Sequence, residues 1–171
     1  MLLQVRLIFS IVGSQNGFVT IFLIGEKFNT WKKIKTLKDH DSKITCISSN
    51  EYLNVVASSC IEGKINLYTI PKFEIFRTID LNYINNLQKP FDINNLFISS
   101  APLACIAIYA KNHNRIFTYT INGEKILEED LKKPNDKKKT EIINCSDIFR
   151  DENFSDNIVI FIFYILILIF E

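Results

Sequence analysis

The chain has 171 residues with 20 basic and 19 acidic side chains, a formal charge of +1, so general attraction to a polyanion such as nucleic acid is not expected of it. Apolar residues make up 47% and charged residues 23%, which excludes an intrinsically disordered chain and leaves material for a core. The four cysteines, Cys46, Cys60, Cys105 and Cys145, fall at no zinc or redox spacing, so they read as buried thiols in a reducing cytoplasm.

In chain order, residues 1–10 are apolar but carry Arg6 within the run and have no basic leader, so no secretory signal is expected. Short segments rich in Ile, Val, Phe, Tyr and Thr follow, divided by Asn, Gly, Ser and charged clusters. They predict strands at 8–12, 18–24, 44–48, 54–58, 64–70, 73–79, 103–109, 115–121 and 124–127. No window carries a long apolar stripe of helical period, so the fold class is all-β.

Overlaying the segments uncovers a repeat. Gly17-Phe18-Val19-Thr20-Ile21-Phe22 matches Gly63-Lys64-Ile65-Asn66-Leu67-Tyr68 at a shift of 46 residues, and Asn114-Arg115-Ile116-Phe117-Thr118-Tyr119 at a further 51. Each copy reads turn residue, exposed residue, β-branched residue, exposed residue, apolar or β-branched residue, aromatic. Gly17, Gly63 and Asn114 suit the positive φ of a tight hairpin, and Asn122-Gly123 suits a two-residue hairpin turn. Phe22, Tyr68 and Tyr119 hold the aromatic position. A strand precedes each turn and another follows each aromatic, so one unit is four antiparallel strands, the size of a propeller blade.

These residues resemble the WD-repeat family of β-propellers, most clearly in the middle copy. Asp39-His40 is similar to the Gly-His that opens a repeat, Ser58-Ser59 to the end of its second strand, Glu62-Gly63 to its Asp-Gly turn, and Tyr68-Thr69 to its closing Trp-Asp. The resemblance implies a hydrogen-bonded tetrad of His40, Ser58, Glu62 and Tyr68 that pins the blade. The third copy is similar to the carboxy-terminal WD repeats of BEACH-domain proteins, the neurobeachin and lysosomal-trafficking-regulator group. That similarity rests on Ile98-Ser99-Ser100-Ala101-Pro102-Leu103-Ala104-Cys105 and Phe117-Thr118-Tyr119-Thr120-Ile121-Asn122-Gly123-Glu124, with Ile148-Phe149-Arg150-Asp151-Glu152-Asn153-Phe154-Ser155-Asp156-Asn157-Ile158-Val159 resembling the start of a next blade.

The expected architecture is an incomplete WD40-like propeller, an open arc of about three blades. Residues 1–40 form a partial first blade, 41–80 a second, 81–95 a polar insertion and 96–131 a third. Residues 132–160 hold a basic loop and the start of a fourth blade, and 161–171 an apolar tail. The thirteen apolar residues at 158–170 would span about 20 Å as a helix, short of the ~30 Å hydrocarbon core. No turn residue follows Val159 to continue a blade, so an interruption there, by truncation or an imperfect gene model, is expected.

His40 and His113 are the only histidines and lack convergent ligands or a nucleophile partner, so neither a metal nor a catalytic role is expected, and no cofactor motif occurs. Lys132-Lys133 and Lys137-Lys138-Lys139 form a basic run that reads as a solvated loop, and Trp31 reads as core packing at an outer strand. The functional expectation is a non-catalytic protein-interaction scaffold, with Asp39, His40, Asp41, Glu62 and His113 as loop contacts. The BEACH resemblance implies a cytoplasmic, peripherally membrane-associated trafficking protein with a BEACH domain upstream. The alternative is a tail-anchored membrane protein inserting its last segment.

Overall fold

Five tight turns of one kind set the strand pattern of the chain, whose computed structural model describes residues 8–25, 30–82, 90–99 and 104–130. In residues 14–17, 51–54, 60–63, 111–114 and 120–123 the fourth amide donates to the first carbonyl, at 2.9 to 3.4 Å. The fourth residue is left-handed each time: Gly17 (φ 80°), Asn54 (52°), Gly63 (78°), Asn114 (51°) and Gly123 (87°). Only glycine and asparagine occupy that position, as the sterics of positive φ favour. The expected two-residue turn at Asn122-Gly123 is corrected by this pattern. Gly123 N donates to Thr120 O at 2.9 Å and Asn122 is not left-handed, so the turn starts at Thr120 and needs only one permissive residue.

Eleven strands run between these turns and the longer connections. The first sheet has β1 (Ile8–Gly13), β2 (Val19–Ile24) and β3 (Trp31–Leu37). The second has β4 (Ile44–Asn50), β5 (Val55–Cys60), β6 (Lys64–Thr69) and β7 (Ile75–Asp80). The third has β8 (Ile93–Ile98), β9 (Cys105–Ala110), β10 (Arg115–Thr120) and β11 (Lys125–Asp130). All pairings are antiparallel meanders in chain order. Strand β8 was not anticipated; it begins inside the stretch read as a polar insertion, whose flanks Leu81, Phe91 and Ile93 are fully buried.

The repeat is visible in the hydrogen-bond register as well as in the sequence. The outer pairing of each sheet shifts just before the aromatic position, between Ile21 and Phe22, Leu67 and Tyr68, and Thr118 and Tyr119. Each shift leaves one bulged residue on the outer strand, Ile34, Phe76 and Ile126, all exposed. The inner pairing of the two four-stranded sheets is shifted in the same way at Ile44/Cys46 and Ile93/Asn95. Sheets one, two and three are therefore copies of one module.

The core lies between the sheets in two layers. Val19, Ile21 and Leu37 of the first sheet meet Ile44, Val56 and Tyr68 of the second. The opposite side of the second sheet, Val55, Ala57, Ile65 and Leu67, meets Ile98, Ile106, Ile108, Phe117 and Tyr119 of the third. Strands β5 and β9 are consequently buried along their whole length, because neighbours cover both faces, whereas β3, β7 and β11 at the rim are largely exposed. Inner strands are tied across the second layer by Cys46 Sγ to Asn94 O (2.8 Å) and Asn50 Nδ2 to Ile98 O (3.3 Å).

The expected basic run at 132–139, Cys145, the fourth-blade start and the apolar run at 158–170 lie outside the described residues. A Cβ at Gly17 would run into the His40 carbonyl and lie 2.9 Å from Ser42 O, in addition to the positive φ. Gly17→Ala should therefore cost ~2 kcal/mol or more, while Asn114→Gly, which frees φ but removes the Oδ1 that accepts from Tyr109 OH at 3.1 Å, should cost ~0.5–1.5 kcal/mol, as read from urea midpoints.

Candidate functional site

The β3–β4 connection delivers His40 to the face of the second sheet that meets the first. His40 is 2% exposed, and its Nε2 lies 2.7 Å from Ser58 Oγ in β5. Ser58 in turn donates to the Tyr68 hydroxyl in a longer contact of 3.4 Å. Three of the four residues named by the resemblance are thus brought together.

Glu62 is not among them, which corrects its assignment to the tetrad. It is exposed on the β5–β6 turn, where its backbone carbonyl accepts from Asn82 Nδ2. Asn66, two residues before Tyr68 and fully buried, occupies the place beside the imidazole instead. Its Nδ2 is 3.3 Å from His40 Nε2 and donates to Asp39 O at 3.0 Å, while its Oδ1 accepts from Thr78 Oγ1 at 2.8 Å. A short amide on the strand reaches the ring directly, so a carboxylate out on the turn is not needed. The sequence reading placed Asn66 at an exposed position of the motif; the signal against that was its equivalence to the apolar Phe117.

Burial governs the electrostatics. The His40 pKa is lowered to about 4, first by burial and then by the Lys64 cation, with Asp39 and Asp41 opposing. Its Nδ1 is buried without a hydrogen-bond partner, so a proton there would be an unpaired charge. Burial likewise raises the Tyr68 phenol and the Cys46 and Cys105 thiols, which disfavours thiolate chemistry at the two cysteines.

The third sheet repeats this geometry with apolar residues. The pairing Ser58↔Asn66 and Val56↔Tyr68 corresponds to Ile108↔Phe117 and Ile106↔Tyr119. Phe91 takes the place of His40 at the blade entrance: its backbone O and Cβ would each lie 3.2 Å from a Cβ on Gly63, as the His40 carbonyl stands over Gly17. Phe91 packs edge-on against Phe117, with ring centroids 5.1 Å apart. Tyr119 OH therefore finds no partner, and burial followed by the Glu128 charge pushes the phenol up to about 12. In the first sheet the aromatic position is Phe22, half-buried and edge-on to Trp31 at 6.1 Å.

The five proposed loop contacts divide by exposure. Asp41 and Glu62 are exposed, and Asp39 is half-buried. His40 is inaccessible inside the network and is corrected as a contact residue. His113 is half-buried with its ring 4.4 Å from Phe91, so it is a packing residue of the β9–β10 turn. Trp31, expected in the core, is 57% exposed at the first residue of an outer strand. Among the described residues no three His, Cys, Asp or Glu side chains are grouped to hold a metal, and no helix is long and apolar enough to cross a membrane.

No family model matches the chain, and no curated protein matches it. Solved structures do. A chain in the crystal structure of the mitotic checkpoint complex aligns with 71% of this chain at a TM-score of 0.56 and 19% identity. The β-propeller domain of Cps50 (Swd1) from Myceliophteria thermophila aligns with 71% at a TM-score of 0.53 and 16% identity. The aligned part is 34% of either neighbour's length. With the register repeat, this likeness shows the fold: part of a WD40-like β-propeller, the three sheets being its blades.

Two outcomes test the network. The folded state holds His40 neutral well below the ordinary histidine pKa, so between about pH 6.5 and 4 the unfolded chain binds more protons and stability falls as pH drops. From pH 7 to 4.5 the protein should lose about 2 kcal/mol more than His40→Gln does, measured by urea unfolding at each pH. Tyr119→Phe removes a hydroxyl that has no partner and should be neutral or stabilising by up to ~1 kcal/mol, whereas Ser58→Ala should cost ~1–3 kcal/mol.

Proposed function

We propose that the chain is a non-catalytic scaffold that binds other proteins through loops at one end of its blades, as part of a BEACH-type membrane-trafficking protein in the cytoplasm. The observation that supports binding at this end is the anchoring of exposed carboxylates on rigid backbone. Asp41 follows the buried His40 directly, and Glu62 lies in a turn closed by Gly63 N to Cys60 O at 3.0 Å. A backbone held this way has little freedom left to lose on binding, and recognition on a scaffold usually sits in such loops. The assembly printed for one structural neighbour, the mitotic checkpoint complex, is a multiprotein one, which agrees in kind without naming a partner for this chain.

Two carboxylates two turns apart suit a partner surface that offers Lys or Arg, so partners are expected to be proteins with a basic patch. The BEACH assignment is carried by the third-copy residues Phe117 to Glu124 and the segment around Cys105. Affinity capture with Asp41→Lys/Glu62→Lys should lose at least one partner that the unmodified chain retains, with an unchanged thermal midpoint. Retention of every partner would reject this end of the blades. The trafficking assignment is checked separately, by whether native transcripts encode a BEACH domain upstream of Met1.

A further inference from the structure

Of the nine exposed large apolar side chains among the described residues, five lie on the outer strands, Trp31, Ile34, Ile75, Phe76 and Ile126, and the other four, Ile8, Val12, Tyr52 and Ile61, lie on β1 and in turns. Trp31 opens β3 at 57% exposure, and Ile34 is its bulged residue at 46%. In the second blade Phe76 is the bulged residue of β7 and is exposed with its neighbour Ile75. Lys35 ties β3 to the β6–β7 connection that leads into β7, because its Nζ donates across the blade boundary to Lys72 O (3.2 Å) and Phe73 O (3.0 Å). Trp31, Lys32, Lys33 and Ile34 therefore continue into the 72–77 region as one rim.

Charge on this rim is one-sided. Lys32, Lys33, Lys35, Lys72 and Arg77 face a single carboxylate, Glu74, over residues 30–35 and 72–77. Among the described residues neither Lys32 nor Lys33 makes a salt bridge. The rim of the third blade is the reverse: Glu128, Glu129 and Asp130 lie on β11, and Arg115 and Lys125 are already engaged with Glu128 at 3.0 and 2.8 Å. A negatively charged surface would attract the first two blades and be repelled by the third, which fixes an orientation.

The strand edges discriminate between kinds of surface. A peptide added as a strand needs a regular free edge, and both rims are interrupted by a bulge, with lysines along β3. Edge protection accounts for the bulges and the lysines but leaves an exposed tryptophan, isoleucine and phenylalanine unexplained. Trp beside Lys on an exposed surface is the composition that settles at a membrane interface, with the indole at headgroup depth and the ammonium groups toward phosphate. We infer that the outer rim of the first two blades docks on an anionic lipid surface, with Trp31 and Ile34 entering the interface and Lys32 and Lys33 facing the headgroups.

Trp31 is the only tryptophan, so its fluorescence reports from the contact itself. With the full chain, vesicles of phosphatidylserine and phosphatidylcholine should shift its emission to the blue. Pure phosphatidylcholine vesicles should not, and added salt should reverse the shift. Lys32→Ala/Lys33→Ala should lower vesicle partitioning by about fivefold per lysine, on the order of 25-fold in all. Lys111→Ala, an exposed lysine on the β9–β10 turn, should leave it within about twofold. The inference is overturned if Trp31 emission is unchanged while the chain floats with anionic vesicles, since another segment then binds. It is equally overturned if soluble polyglutamate shifts the emission as far as vesicles do, which would identify an acidic polypeptide, or if Lys111→Ala weakens partitioning as much as the pair.

Discussion

Close approach between the turn of one blade and the loop that enters the next is the constraint on which the arc depends. Gly17 lies under the His40 carbonyl, and Gly63 lies against Phe91. At the first of these junctions there is no room for a Cβ, and both need positive φ, so one residue type satisfies two demands. Once the turns are seated, β2 and β6 present Val19 and Ile21, and Ile65 and Leu67, to the following sheet, and the two core layers follow. Burial of β5 and β9 on both faces is a consequence of this stacking, since neither hairpin could cover itself.

Inside the second blade the same stacking decides the chemistry of His40. Ser58 and Asn66 both contact Nε2 of the buried imidazole, and burial together with the Lys64 cation outweighs the pull of Asp39 and Asp41 toward a proton on the ring. The ring is a neutral structural element, fixed between a hydroxyl and an amide. On the readings proposed above, interaction with other molecules falls to what the stacking pushes outward: Asp41 and Glu62 at one end, and the cationic, aromatic rim of the first two blades.

Much of this was legible in the sequence because a repeat states its own boundaries. The three motif copies located β2, β6 and β10, their left-handed turn residues and the aromatic position, and His40, Ser58 and Tyr68 do converge. The failures have physical causes. The period-2 reading made Asn66 and Phe117 exposed, which holds for a sheet with one wet face and fails for a blade packed on both. Strand β8 hid behind asparagines that lie toward the inner edge, where polar residues are tolerated. Trp31 looked like core because large aromatics usually are, yet at the end of an edge strand it stays 57% exposed, with its ring edge-on to Phe22. Glu62 was assigned by the resemblance, and its distance from the ring follows from the turn geometry, which no linear motif encodes.

Tandem copies of one module carry a hazard of their own, in that a sheet can settle against the wrong sibling during folding. The two described junctions differ in a way that opposes such errors. One buries an imidazole, a hydroxyl and an amide that must find one another, and the other buries three aromatic rings beside isoleucine. A sheet docked on the wrong mate would set stranded polar groups against hydrocarbon. The replacement of His40, Ser58 and Asn66 by Phe91, Ile108 and Phe117 between units of one register thus labels each junction and opposes misordering of the arc.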